Sequence, residues 1–212
     1  MTRLTLIVAA TLQNGIGQSG RLPWRLPQEM AYFARATTSA PDGRTNALVM
    51  GRATWESIPP KFRPLPKRLN VVVSRNTQYE LGATDALLAP SLPASLDALT
   101  QRTDSVHRTF IIGGASLYTE SLRLTPSDPA FVDRILLTRI VSPAFDECDT
   151  FVPKLASASP DVVANETEGV SWKRASHAEL QTWVGFEVPE GVQEEKGVQY
   201  EFQMWTRTGE II

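Results

Sequence analysis

The chain has 212 residues, 42% of them hydrophobic and 21% charged, with a formal net charge of −2. That length suits one domain with a sizeable core, since a domain takes roughly 100–200 residues. The charge balance excludes an electrostatic case for nucleic acid or an anionic membrane. The single cysteine, Cys148, excludes an internal disulfide and points to a reducing compartment.

Cys148 stands in the acidic run Asp146-Glu147-Cys148-Asp149. Acidic neighbours disfavour a thiolate, so it reads as inert. His107 and His177 have no partners at metal-ligand spacing, and no metal is expected. MTRLTLIVAA does not read as a signal peptide, because its apolar run is short and continues straight into a glycine segment. No apolar stretch approaches the roughly 20 residues of a membrane span.

In chain order, Leu4 to Ala10 is a nearly continuous apolar run, suited to a strand buried on both faces. Leu12 to Phe33 follows, with Gly15, Gly17 and Gly20 spaced through a polar cover and a corner at Leu22-Pro23-Trp24. Pro27 suits the first turn of a helix. Met30, Phe33, Ala34 and Thr37 then mark one face at helical spacing, with Glu29 beside that stripe. An acid in a first turn can serve the macrodipole alone or face a ligand, and this window leaves both readings open. Ala47 to Met50 reads as a second strand, running through Gly51 into a helix with Arg52, Thr54 and Trp55. Ile58 to Pro66 carries four prolines, which excludes regular helix or central strand.

Leu69 to Val73 reads as a third strand ending at Ser74-Arg75, and Leu92 to Leu99 as a short helix. Thr109 to Ile112 is a fourth strand, and Gly113-Gly114 leads into a helix through Tyr118 and Leu122. Thr125 to Pro129 is a loop, Arg134 to Val141 a fifth strand, and Asp146 to Pro160 irregular. Trp172 to Trp183 is read as a further strand. Val198, Tyr200, Phe202 and Met204 alternate with polar residues, which argues for a final strand with one face on the core. Strands alternating with helices imply an α/β fold: a mostly parallel twisted sheet with helices on both faces.

Three strand ends carry groups suited to a phosphorylated cofactor. Gly51-Arg52-Ala53-Thr54 offers a helix start and a guanidinium. Ser74-Arg75 offers a hydroxyl and a second guanidinium, and Gly113-Gly114 lets backbone approach a ligand closely. The usual G-x-G-x-x-G fingerprint is absent after the first strand.

VAATLQNGIG, LPWRLPQEMAYF, MGRATWESIP, RPLPKRLNVVVSR, FIIGGASLY and LLTRI stand in an order that closely resembles the dihydrofolate reductase family. The tail VQEEKGVQYEFQMW looks like that of the eukaryotic enzymes, and the extra residues around 119–133 and 156–186 resemble fungal relatives. The resemblance implies one domain over residues 1–212 and an eight-stranded sheet completed by an antiparallel C-terminal strand. It implies NADPH-dependent reduction of 7,8-dihydrofolate, by hydride transfer to pterin C6 with protonation at N5, in support of one-carbon metabolism and thymidylate synthesis. Dihydrofolate and antifolate inhibitors are the implied ligands, and a cytoplasmic monomer the implied state.

The resemblance also assigns residues. Glu29 matches the pterin-binding carboxylate, supported by the Thr138 hydroxyl. Leu22 and Trp24 belong to a lid running from Leu12 to Trp24, and Tyr118 lies near the nicotinamide. Ile7 and Ile112 offer carbonyls beside Val8. Met30, Phe33, Ile58, Pro59, Phe62 and Leu65 line the pocket for the rings, and Arg68 pairs with the α-carboxylate of the glutamate tail. On the cofactor side stand Ala9, Ile16 and Gly20; Gly51, Arg52, Ala53 and Thr54; Ser74 and Arg75 for the 2′-phosphate; and Ile112, Gly113, Gly114, Ala115, Ser116, Leu117 and Tyr118, with the two glycines joined by a cis peptide. Met30, Arg21 and Phe62 depart from the residues common in vertebrate or other eukaryotic relatives. The alternatives are a riboflavin-pathway reductase on the same fold, against which Trp24, Glu29, Phe33 and Arg68 speak, and a non-catalytic NADPH- or folate-binding protein.

Overall fold

The computed structural model describes residues 1–153, 162–165 and 170–208. Twelve strands, five α-helices and one 3-10 turn (Pro60–Phe62, between α2 and β4) follow one another in those residues: β1 (Thr2–Thr11), β2 (Gly15–Gly17), α1 (Pro27–Thr38), β3 (Thr45–Gly51), α2 (Arg52–Ser57), β4 (Arg68–Val73), β5 (Ala86–Ala89), α3 (Leu92–Thr100), β6 (Val106–Ile111), α4 (Ala115–Arg123), β7 (Ala130–Ser142), β8 (Thr150–Phe151), β9 (Val162–Asn165), β10 (Val170–Arg174), α5 (His177–Val184), β11 (Val192–Glu195) and β12 (Val198–Thr208). The main sheet has the order β5-β4-β3-β6-β1-β7-β12-β10-β9, with β11 paired to β12. β5 through β7 along that path are mutually parallel, and β12 turns antiparallel against β7. The eight strands from β5 to β10 correspond to the expected sheet. β9 and β11 are short antiparallel additions.

Because successive strand residues point to opposite faces, the continuous apolar runs feed two core layers. Leu4, Leu6 and Val8 of β1, Val49 of β3 and Leu137 of β7 join Leu92 and Leu99 of α3 and Leu117 of α4 on one side. Ile7, Leu48, Met50 and Leu136 join Tyr32 and Ala36 of α1, Trp55 of α2 and Leu180 and Val184 of α5 on the other. Helices therefore cover both faces, as the alternation of strands and helices implies.

Three local readings differ from the sequence expectations. Trp172 lies in β10, but the segment does not continue as strand to Trp183: Ser176 and Glu179 form a reciprocal capping box and start α5, which Gly185 ends in the left-handed conformation. A Ser-x-x-Glu spacing is a helix start, and the signal was legible. β12 is buried on one face as its alternation predicts, but Gln203 and Trp205 are buried on its other face too, where Trp205 joins the opposite core layer with Trp172 of β10. Between Asp146 and Pro160, Thr150–Phe151 pairs with Gly15–Gly17; residues 154–160 lie outside those described.

Asn46 fastens the lower ends of these elements. Its side chain is wholly buried on β3. Nδ2 donates to the carbonyls of Thr37 and Ser39 at the end of α1, each at 2.9 Å, and Oδ1 accepts from the Arg108 backbone N–H of β6 at 3.1 Å. Buried polar groups left without partners each cost about 1–3 kcal/mol. Asn46→Ala, which strips three of them at once, is expected to lower stability by about 2–4 kcal/mol in urea unfolding, with the m-value unchanged.

Candidate active site

Glu29 sits in the first turn of α1 and is 7% exposed. The Thr138 hydroxyl, from β7, donates to its Oε1 at 3.1 Å. Burial pushes its carboxyl pKa up from 4.5 to about 7; the Thr138 hydrogen bond opposes that shift and the nearby Glu195 carboxylate adds to it. A group that titrates near neutrality inside an apolar seam is suited to proton chemistry in a way that a solvated carboxylate is not.

The helix around Glu29 is turned differently from the predicted stripe. Glu29, Tyr32, Ala36 and Thr37 are buried, Phe33 is half-buried, and Met30 is exposed. Tyr32 takes the core position because its ring lies on Phe202 of β12 at 4.1 Å and meets Phe186 edge-on at 6.0 Å. Met30, Phe33, Ile58, Leu65 and Phe62 therefore present partly exposed apolar surface, while Tyr32 does the packing.

Arg68 opens β4 beside the other end of α1. Its Nη1 donates to Thr37 Oγ1 at 2.8 Å and its Nε to the Pro66 carbonyl at 2.9 Å, and no carboxylate pairs with it among the described residues. Two bonds fix the guanidinium plane and leave N–H groups for a ligand carboxylate.

The predicted cofactor residues gather at the C-terminal ends of β4, β3, β6 and β1, which are neighbours in the sheet. The Gly51 N–H donates to the Gly113 carbonyl at 2.8 Å, and Gly113-Gly114 is a cis peptide. A Cβ on Gly113 would lie 3.2 Å from the Tyr118 hydroxyl and 3.4 Å from Thr54 Oγ1, so only glycine leaves this surface clear. The Tyr118 hydroxyl is buried and donates to the Ile7 carbonyl at 2.9 Å. α4 starts at Ala115 with no side-chain cap on its first N–H groups. Arg75 is exposed and has no ion-pair partner among the described residues, and Ser74 is buried at the strand end. Arg52 reaches Glu56 at 3.7 Å. A bare glycine cradle, an uncapped helix start and two cationic side chains fit a dinucleotide phosphate chain. Val8 and Leu117 point into the core layer beneath this cradle.

The glycine cover is stapled rather than loose. Thr11 Oγ1 accepts from the Gly15 N–H at 2.9 Å, and Arg139 Nη1 donates to the Thr11 carbonyl at 2.7 Å and to Asn14 Oδ1 at 3.2 Å. Asp149 Oδ2 accepts from the Ser19 N–H at 2.7 Å, while the Asp149 N–H donates to the Gly17 carbonyl at 3.0 Å. Cys148 packs against Gly15 so closely that a Cβ there would fall 2.7 Å from its sulfur. The thiol is buried and its pKa raised by burial and by Glu147, which agrees with an inert cysteine. Leu22 stays exposed, and Trp24 is buried edge-on to Phe145 at 5.3 Å.

Residues 3–184 match the sequence model of the dihydrofolate reductase family. The chain belongs to that family. It is 45% identical to the dihydrofolate reductase of Cryptococcus neoformans, over 95% of this chain and 93% of that protein. It is 41% identical to that of Pneumocystis carinii, over 96% of each. Among solved structures, Schistosoma mansoni dihydrofolate reductase is similar with a TM-score of 0.74 and 33% identity, over 97% of this chain and 98% of the other. A dihydrofolate reductase is an NADPH-dependent oxidoreductase that reduces dihydrofolate and binds antifolates, and the match decides against the riboflavin-pathway alternative.

One residue beside this candidate site is not legible in the sequence. Leu26 gives α1 no side-chain cap; instead both oxygens of Glu195 accept from the Gln28 N–H, at 3.0 and 3.2 Å. Glu195 arrives on the β11–β12 hairpin, whose two-residue turn, Lys196-Gly197, has both φ angles positive. The Lys-Gly pair was a readable hairpin signal, but its meeting with α1, 167 residues away along the chain, was not.

The raised pKa of Glu29 has a sign for stability. The unfolded chain releases this proton from about pH 4.5 and the folded protein only near pH 7. Stability from this group is therefore highest in acid and falls as pH rises toward 7. Glu29→Gln removes the titration. Urea unfolding is expected to show the variant gaining on wild type by about 2–3 kcal/mol between pH 5 and pH 8; a constant gap would mean that Glu29 is not a buried titrating group.

Proposed function

We propose that Glu29 is the catalytic carboxyl of this reductase, that Thr138 orients it, and that Leu22, Trp24 and Tyr118 complete the reacting region. The observation that carries this reading is the buried Glu29–Thr138 pair with a carboxyl pKa of about 7. The carboxyl binds the amino and N–H donors of the pterin and adjusts the ring's tautomers, and a proton then reaches N5 through solvent. The carbonyls of Ile7 and Ile112, beside Val8, take further ring donors. Met30, Phe33, Ile58, Pro59, Phe62 and Leu65 enclose the rings, and Arg68 takes the tail carboxylate. NADPH supplies the hydride when bound. Ala9 and Ile16, with Gly113, Gly114 and Tyr118, stand at its nicotinamide end, Arg52 and Thr54 hold its phosphates, and Gly20, Gly51, Ala53, Ile112 and Ala115 to Leu117 complete the cofactor site. Ser74 and Arg75 favour a 2′-phosphate over a free ribose hydroxyl, since NAD sites usually set an acid there. The Leu12–Trp24 segment is the lid, and in the closed position, pinned by Arg139 and Asp149, it excludes water. The chain works as a single domain over residues 1–212 and as a cytoplasmic monomer, without nucleic acid or membrane.

Glu29→Gln keeps the shape and the Thr138 contact but removes the carboxylate. Single-turnover hydride transfer at pH 7.5 is expected to fall by at least about tenfold, within the range for a lost acid–base group. Part of the rate should return in acid, and NADPH affinity should be unchanged. A variant with wild-type rates would overturn the assignment. Arg68→Leu is expected to weaken dihydrofolate and glutamate-bearing antifolates by about 1.5–3 kcal/mol, and to leave inhibitors without a glutamate unaffected. Equal losses in both inhibitor classes would make Arg68 structural.

A further inference from the structure

A second concave site lies away from this chemistry. It is a cavity of about 370 Å³ at the N-terminal ends of β1, β6 and β7, reached by the α3 end on one side and by Trp183 of α5 on another. The candidate cofactor residues sit at the opposite, C-terminal ends of β1 and β6, and none of the candidate substrate or cofactor residues lines this hollow.

Its charge is unbalanced. Arg3, Arg44, Arg108 and Arg134 surround it, with His107 between them, against the single carboxylate of Asp133. Asp133 is shared: Arg3 reaches it at 3.7 Å and Arg134 at 3.6 Å, both long for an ion pair. Arg44 donates to the Thr103 and Val106 carbonyls, which orients it without neutralising it. The Arg108 guanidinium has no hydrogen-bond or ion-pair partner among the described residues. It is held by stacking on the Trp183 ring, 3.8 Å from its centroid, with Arg134 at 5.0 Å from the same ring. Burial and Arg134 together pull the Arg108 pKa down, and burial with Arg108 and Arg44 does the same to His107. The cluster is thus assembled against its own repulsion in a partly dry hollow, where a cationic lining concentrates anions.

We propose that this cavity binds a compact polyanion, an oligophosphate taken either as the inorganic ion or as the phosphate chain of a nucleotide. Guanidinium forks pair with phosphate oxygens two at a time, and a phosphate chain brings several charges into a few ångströms, matching four guanidiniums set against one carboxylate. Trp183 already carries Arg108 on its ring, so the site recognises charge rather than a stacked base. The chain's net charge of −2 disfavours a nucleic acid track.

The test is calorimetric titration of sodium tripolyphosphate into the NADPH-saturated enzyme at low salt, so that the cofactor site is already filled. One binding event is expected, weakened by at least about tenfold in Arg108→Gln, the loss of one charge-assisted bond. Arg3→Gln, at an exposed rim position that does not touch the Trp183 stack, should weaken it as well, and keeps the test valid if the first variant fails to fold. Both variants should keep the wild-type hydride-transfer rate. ATP displacing tripolyphosphate with comparable affinity, and adenosine failing to, identifies a nucleotide phosphate chain; displacement by pyrophosphate alone identifies the inorganic ion. Absence of binding to the NADPH-saturated enzyme, or equal affinity in wild type and every folded variant, overturns the proposal.

Discussion

The parallel ladder between β1 and β7 is the constraint on which the site depends. It sets Ile7 opposite Leu136 and Ala9 opposite Thr138. β12 then pairs Phe202 with Thr138 from the other side. Thr138 is thereby fixed between two strands before any contact with α1 is made, and its hydroxyl can only meet a group brought down onto that face. α1 brings Glu29. A slip of one residue in either ladder would turn Thr138 to the opposite layer, leaving a buried carboxyl with no hydrogen-bond donor. The carboxyl is thus positioned by strand pairing as much as by its own helix.

The same face explains how much could be read from the sequence. The parallel strands were legible because burial on both sides makes them apolar throughout, as in Leu4 to Ala10 and Ala47 to Met50. The strand ends bearing Gly51, Ser74 and Gly113 were legible for the same reason, since each ends an apolar run. The orientation of α1 was not. Periodicity selected Met30 and Phe33 for the buried stripe, whereas the core takes Tyr32 and, against every hydrophobic rule, Glu29. Sequence pattern fails most readily where a protein buries what folding alone would expose. The contribution of Glu195 was hidden for a different reason: it joins α1 only through the tertiary fold.

The two edges of the sheet divide the polar chemistry. At the C-terminal ends, glycines and uncapped N–H groups leave backbone open to a ligand. At the N-terminal ends, Asn46 and the cluster around Arg108 use side chains instead, and the Arg108 backbone N–H that Asn46 accepts ties that cluster to the end of α1. One strand, β6, thus carries a cationic side chain at one end and leads to the glycine pair at the other, across only a few residues.

The contact between Gly15 and Cys148 bears on how this family can vary. Sulfur and Cβ of Cys148 fill the space that any side chain at position 15 would need, and Thr11 Oγ1 closes a third side. The two positions therefore share one fixed volume. Any side chain at 15 requires the Cys148 side chain, its Cβ included, to be removed or displaced. Among relatives that keep the β2–β8 ribbon, these sites should drift as a pair, and grafting the glycine segment of one enzyme onto another will succeed only when the partner across the ribbon travels with it.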